Sequence, residues 1–152
     1  MGISEIRKRT APSHRRLEEN LKLFERTQTA EQYSAHLQRY HTWLSPLEQK
    51  MEPFANQLPI AWQNRKRSQL LLQDLRALNV PESAADGSDI QALDCQSLED
   101  CLGYLYVLEG STLGGQIIYK HFSEKFGLNT ETGLAFYYGR GPQTGFFWKE
   151  FL

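Results

Sequence analysis

Apolar positions recur at three- and four-residue intervals along nearly the whole chain, with few strand-like alternations, so the pattern predicts an all-α fold. The first helical stretch spans roughly Ile3–Phe24. Pro12 falls inside it, which predicts two short helices or one with a distorted turn. Thr29 and Gln32 stand at capping-box spacing before a second helix. Its Tyr33, Leu37, Tyr40, Leu44 and Leu47 form a core stripe. Ser45-Pro46 marks a kink in that helix or a restart. A third helix is expected over about Arg65–Asn79, burying Leu70, Leu71, Leu75 and Leu78. Pro81 to Asp94, with its Gly, Ser, Asp and Ala, predicts a loop. Ser97 reads as an N-cap with Glu99 and Asp100 in the first turn of a long helix, which Gly127 stops after Phe126. Gly133–Leu152 reads as a Gly-rich bend and a last, short helix. No repeat or low-complexity linker divides the chain, so one domain over 1–152 is expected.

A chain of 152 residues can bury a core without metal or disulfide staples. Its 40% hydrophobic and 23% charged residues are ordinary globular usage and argue against disorder. The formal net charge of −1 makes nucleic acid a poor default partner. Cys95 and Cys101 fit neither a redox CxxC nor a zinc pattern, and there is no CxxCH for covalent cofactor attachment. If both lay on one helix they would not easily bond to each other, and two free thiols favour a reducing compartment. The start of the chain is charged, without the apolar core of a secretory signal. The longest apolar stretch, around Leu102–Leu108, is too short to span a bilayer. A cytoplasmic location, with no membrane partner, is the expectation.

Two stretches carry candidate chemistry. Gly103–Gly115 puts glycines in the middle of the long helix, each costing about 1 kcal/mol relative to Ala. Gly110 and Gly114 share a face, Gly103 lies near the same line, and Ser111 and Gly115 widen the stripe. Such a bare face serves close helix–helix packing or a flat ligand lying against the backbone, and periodicity does not separate the two. In the first helix, His14 and Glu18 are i and i+4, so the side chains can meet. A metal-ligating histidine commonly gives its other ring N–H to such an acceptor, although a surface His near a Glu is the plainer reading. Arg7, Lys8, Arg9, Arg15 and Arg16 surround the pair, either as a solvated basic face or as anchors for carboxylates. His36, His41 and His121 read as structural. There is no Glu-x-x-His pair, phosphate loop or nucleophile elbow.

Together these segments resemble the haem oxygenase family. Thr10-x-x-x-His14-x-x-x-Glu18 is similar to its proximal helix, and Leu105–Ile118 (LYVLEGSTLGGQII) to the distal helix of its bacterial members. Arg65-x-Arg67 with Leu72-x-Asp74-Leu75-x-x-Leu78, and Tyr138-Gly139 through Thr144-Gly145, Trp148 and Phe151, extend the resemblance along the chain in order.

The resemblance implies a helical bundle with a kinked, Gly-rich distal helix, shorter at its C-terminal end than other members by a helical segment. It implies His14 as the haem-iron ligand, Glu18 as the group that orients it and Arg7 near a haem propionate. Gly110, Ser111, Gly114 and Gly115 would form the distal, catalytic face, with Ser111 where mammalian members carry an Asp that organises water. Haem b would be cofactor and substrate, opened with O2 to biliverdin, CO and ferrous iron. A ferredoxin or reductase would supply electrons, within a phytochrome-linked bilin pathway or a haem-uptake system. The alternatives are a haem-binding or storage module without turnover, and a helical relative that keeps its glycines only for packing. A thiaminase-like relative would need a Cys nucleophile beside a carboxylate.

Overall fold

Two capping boxes fix the starts of the two longest helices. In the computed structural model, which describes residues 2–81 and 93–152, Thr29 and Gln32 cap α3 (Ala30–Met51) reciprocally, and Ser97 and Asp100 do the same for α5 (Leu98–Phe126). Gly127 ends α5 in the left-handed conformation and its N–H donates to the Ser123 carbonyl. The remaining helices are α1 (Ile3–Leu21), α2 (Leu23–Arg26), α4 (Ser68–Ala77), α6 (Ala135–Tyr138) and α7 (Thr144–Phe151). No strand occurs among the described residues. The loop expected over Pro81–Asp94 lies, for residues 82–92, outside the described residues. Among the described residues, no helix is long and apolar enough to cross a membrane.

Neither proline breaks its helix: Pro12 sits inside an unbroken α1 and Pro46 inside an unbroken α3. The stripe on α3 is core, with Tyr33, Leu37, Leu44 and Leu47 buried and Tyr40 packed at the margin. Leu71 and Leu75 of α4, Leu105, Leu108 and Phe122 of α5, and Phe136 and Tyr137 of α6 complete it. Each such side chain contributes about 1.5–3 kcal/mol by leaving water. α4 is shorter than the sequence predicts, because residues 62–67 form a 3-10 turn and an irregular step that places Arg65 and Arg67 inward.

Buried carboxylates tie the short helices to this core. The Glu48 carboxylate on α3 accepts from the Arg67 and Ser68 N–H groups and the Ser68 hydroxyl, capping α4 from another element. The Asp74 carboxylate on α4 accepts from the N–H groups of Ala135 and Phe136, at 2.7 and 2.8 Å, and so starts α6. Burial outweighs those bonds and pushes the Asp74 carboxyl up to about 6. His36, against the Tyr137 hydroxyl, is pushed down to about 4, by burial first and by Arg39 second.

The two groups act in opposite directions on acid stability. Between about pH 4 and 6.5 the unfolded state binds the His36 proton and the folded state does not, so His36 contributes stability that is lost as the pH falls. Asp74 takes its proton in the folded state first, so its contribution grows as the pH falls from about 6 towards 4. His36→Gln is therefore expected to make the protein relatively more acid-stable than wild type between pH 6.5 and 4. Urea midpoints at pH 4.5 and 7 check this. A wild-type pH slope retained in the variant would show that His36 does not titrate across unfolding.

Candidate functional site

α1 is unlike every other long element, because it buries no residue. Its local support is the i,i+4 pairs Glu5–Arg9 and His14–Glu18, worth only about 0.2–0.5 kcal/mol each. Yet it is amphipathic, and Leu17 is 59% exposed on the side that faces α5. The facing residues are apolar and uncovered too: Val107 is 62% and Ile117 66% exposed. Two apolar helix faces look at each other across a gap that protein does not fill.

That gap holds two clefts. One, of about 510 Å³, lies between Arg7, Thr10, His14 and Leu17 on α1 and Tyr106, Val107, Gly110 and Ser111 on α5, with Trp148 of α7 at its wall. The other, of about 390 Å³, continues past Glu18 between Leu21 and Phe24 on one side and Gly114, Ile117 and Ile118 on the other. Both sizes are in the range of small-molecule sites, about 300–1,000 Å³.

The glycines separate into two groups. A Cβ added to Gly114 would meet no atom within 4 Å, and one added to Gly110 would meet only the Trp148 ring, at 3.6 Å, an ordinary contact. Neither is bare because protein crowds it. Gly115 is the reverse: a Cβ there would lie 2.9 Å from the Tyr137 carbonyl oxygen. It is buried and lets α6 approach the backbone of α5. The expectation that Gly115 joins the distal face is corrected by this geometry, since one residue turns the side-chain direction by about 100°. Gly103, expected near the same line, is exposed with nothing within 4 Å.

The other expected residues converge on the first cleft. His14 Nδ1 lies 3.4 Å from Glu18 Oε1, and both side chains are about 70% exposed, uncovered by protein. With the Glu18 carboxylate beside Nδ1, Nε2 is the ring nitrogen open to a ligand. Arg7 and Arg15 stand at the cleft, and among the described residues neither meets a carboxylate. Ser111 donates to the Leu108 carbonyl at 2.7 Å, and Thr112 donates to that of Glu109. Such back-bonding commonly bends helices. Tyr40, packed at the margin of the core, has its deprotonation disfavoured by burial.

Sequence reasoning missed Tyr106, Val107 and Trp148 as site residues. Tyr106 and Val107 lie one helical turn before Gly110 and could have been found from its face. Trp148 arrives on a separate helix and had no local signal. Arg65, in the RxR segment, lies away from the cleft: its guanidinium donates to Glu109 at 2.8 Å, to the Phe147 carbonyl and to Glu150. Arg67 donates to the Phe136 carbonyl and covers that ring. Both are structural. His121, packed at a tilt on Phe24 with ring centroids 4.2 Å apart, is structural as well.

A flat macrocycle such as haem would need backbone without side chains on one side and a nitrogen ligand on the other; Gly110 and Gly114 line the α5 side of the gap and His14 the α1 side. Among the described residues, no cluster of three or more His, Cys, Asp or Glu could hold a bare metal ion.

Comparison with known proteins agrees with this geometry. The family model described as heme oxygenase matches residues 3–152. A protein named heme oxygenase from Xanthomonas campestris pv. campestris (strain 8004) is 34% identical over 90 residues, which covers 59% of this chain and 52% of that relative. The chain thus spans about half the length of the curated relative it matches. No solved structure matches it. With the family model matched over nearly the whole chain, and with the glycine face and the histidine set across one gap, this chain belongs to the haem oxygenase family.

Proposed function

We propose that this chain holds haem b in the gap between α1 and α5 and opens it to biliverdin, CO and ferrous iron, using O2 and electrons from a ferredoxin or reductase. The observation that carries this reading is that a Cβ at Gly114 would meet nothing within 4 Å beyond its own stretch of helix, beside a cleft that contains His14. Bound haem supplies the iron that activates oxygen and the ring that is cleaved.

The chain's residues do the rest. The Glu18 carboxylate stands 3.4 Å from His14 Nδ1, close enough to favour the tautomer with the proton on Nδ1 and a free Nε2. Arg7 and Arg15 offer positive charge to the carboxylates of the substrate. Gly110 and Gly114 keep the distal face free of side chains, and Val107 and Trp148 exclude water. At the cleft, the Ser111 hydroxyl donates to the Leu108 carbonyl and keeps its own lone pairs able to hold a water.

The test is a haemin titration of the purified chain, followed by reductant and oxygen. A saturable Soret band and its replacement by biliverdin absorption are expected. A Soret band that persists through reduction and oxygenation would identify a binding module without turnover, and no band at all would end the haem reading. His14→Ala is expected to change the ligation spectrum and stop ring opening while leaving the apo melting temperature within about 1 °C, since the His14 side chain is 72% exposed. Added imidazole should partly restore the spectrum. A variant spectrum equal to wild type would remove His14 as the ligand.

A further inference from the structure

We propose that Cys95 and Cys101 form a reversible intrachain disulfide, by exchange with a low-molecular-weight disulfide such as oxidised glutathione, and that this bond staples residues 93–97 to the first turn of α5. The two thiols are not on one helix. Ser97 caps α5 in an extended conformation, so the chain before it folds back beside the helix it starts. This puts the Cys95 sulfur 3.0 Å from that of Cys101, within about 1 Å of bonding distance.

The pair is held in place and does not meet by chance. Lys50 donates to the Leu93 carbonyl at 2.8 Å, the Tyr104 hydroxyl to that of Asp94 at 2.9 Å, and the Gln96 N–H to the Asp100 carboxylate at 3.0 Å. Both sulfurs are enclosed, Cys95 at 8% exposure and Cys101 at 0%. Burial, then the neighbouring thiol, pushes Cys101 up to about 12. Cys95, the more accessible, is therefore the attacking sulfur and Cys101 the resolving one.

The exchange balances without a further reactant. The Cys95 thiolate attacks glutathione disulfide, forming a mixed disulfide and releasing one glutathione. The Cys101 sulfur then displaces the second glutathione from Cys95. The two thiol protons pass to the two released glutathiones, so the protein pair loses two electrons and the glutathione disulfide gains them. The product restrains the start of the helix that carries Gly110 and Gly114. It acts near a weak point, because Gly103, two residues beyond Cys101, has no packing neighbour.

The full chain is equilibrated with graded ratios of reduced to oxidised glutathione, trapped by alkylation and read by intact mass and peptide mapping. The expected product is a monomer lighter by two hydrogens, with Cys95 joined to Cys101 and dithiothreitol restoring the thiols. Amide exchange in the first turn of α5 should slow on the order of tenfold in that form. Cys101→Ser should keep a glutathione adduct on Cys95. Intermolecular disulfides, a wild-type adduct that never resolves, or thiols that react only in urea would overturn the proposal. A mapped disulfide with unchanged amide exchange would overturn the stapling.

Discussion

Glu109→Ala is expected to lower the unfolding free energy by roughly 3–5 kcal/mol, the usual cost of removing one partner from a buried ion pair. Glu109 and Arg65 side chains are each only 2% exposed and meet at 2.8 Å. Arg140 approaches the same carboxylate oxygen at 3.4 Å, and its guanidinium lies over the Phe147 ring. Removing the carboxylate leaves a buried guanidinium with weaker compensation, from the Phe147 carbonyl and Glu150. Those two partners put the loss nearer the lower bound. Glu150 is half exposed, so Glu150→Ala should cost at most about 1 kcal/mol. Urea unfolding with an unchanged slope reads both values. Replacing Arg65 and Glu109 together by Met and Leu should recover most of the loss. A Glu109→Ala cost below about 1 kcal/mol would show that this network does not carry α7. The same network seats α7, and with it Trp148 against Gly110, so the variant should also bind haem more weakly.

What the sequence made legible was local. The stripe from Tyr33 to Leu47, the caps at Thr29 and Ser97 and the stop at Gly127 depend on residues within one or two turns, so spacing alone exposes them. The buried carboxylates were not legible. Glu48 and Asp74 cap helices whose partners lie about 20 and 61 residues away, and nothing beside them in sequence marks them as caps. The cysteines misled for a related reason. Six residues look like less than two turns of one helix, until the extended Ser97 reverses the chain between them. At the site, the family resemblance brought His14, Glu18, Gly110 and Ser111 to one cleft. It also drew in Gly115, because a glycine that opens a ligand space and one that admits a neighbouring backbone are the same letter. Only the third dimension assigns each its neighbour.

That distinction sets the second large effect. Gly115→Ala should destabilise the apo protein by about 1–3 kcal/mol, since its methyl would press on the Tyr137 carbonyl, which is backbone and cannot swing away. Gly114→Ala, one residue earlier, should do the opposite: the methyl has open space and the helix gains up to about 1 kcal/mol of propensity. Gly114→Leu should keep an apo stability near wild type while filling the gap that a macrocycle needs. Haem affinity should then fall by an overpacking penalty of about 1–3 kcal/mol, a loss of roughly 5- to 150-fold. Gly110→Ala, in ordinary contact with Trp148, should lie between the two. The measurements are paired for each variant: urea midpoint without haem, and haemin affinity with single-turnover ring opening. Stability and haem affinity should separate cleanly, Gly115 moving the first and Gly114 the second. If Gly114→Leu binds and degrades haem like wild type, the open face is not the haem surface. If Gly114→Ala instead lowers apo stability as much as Gly115→Ala does, α1 closes onto α5 in solution and the glycines serve packing.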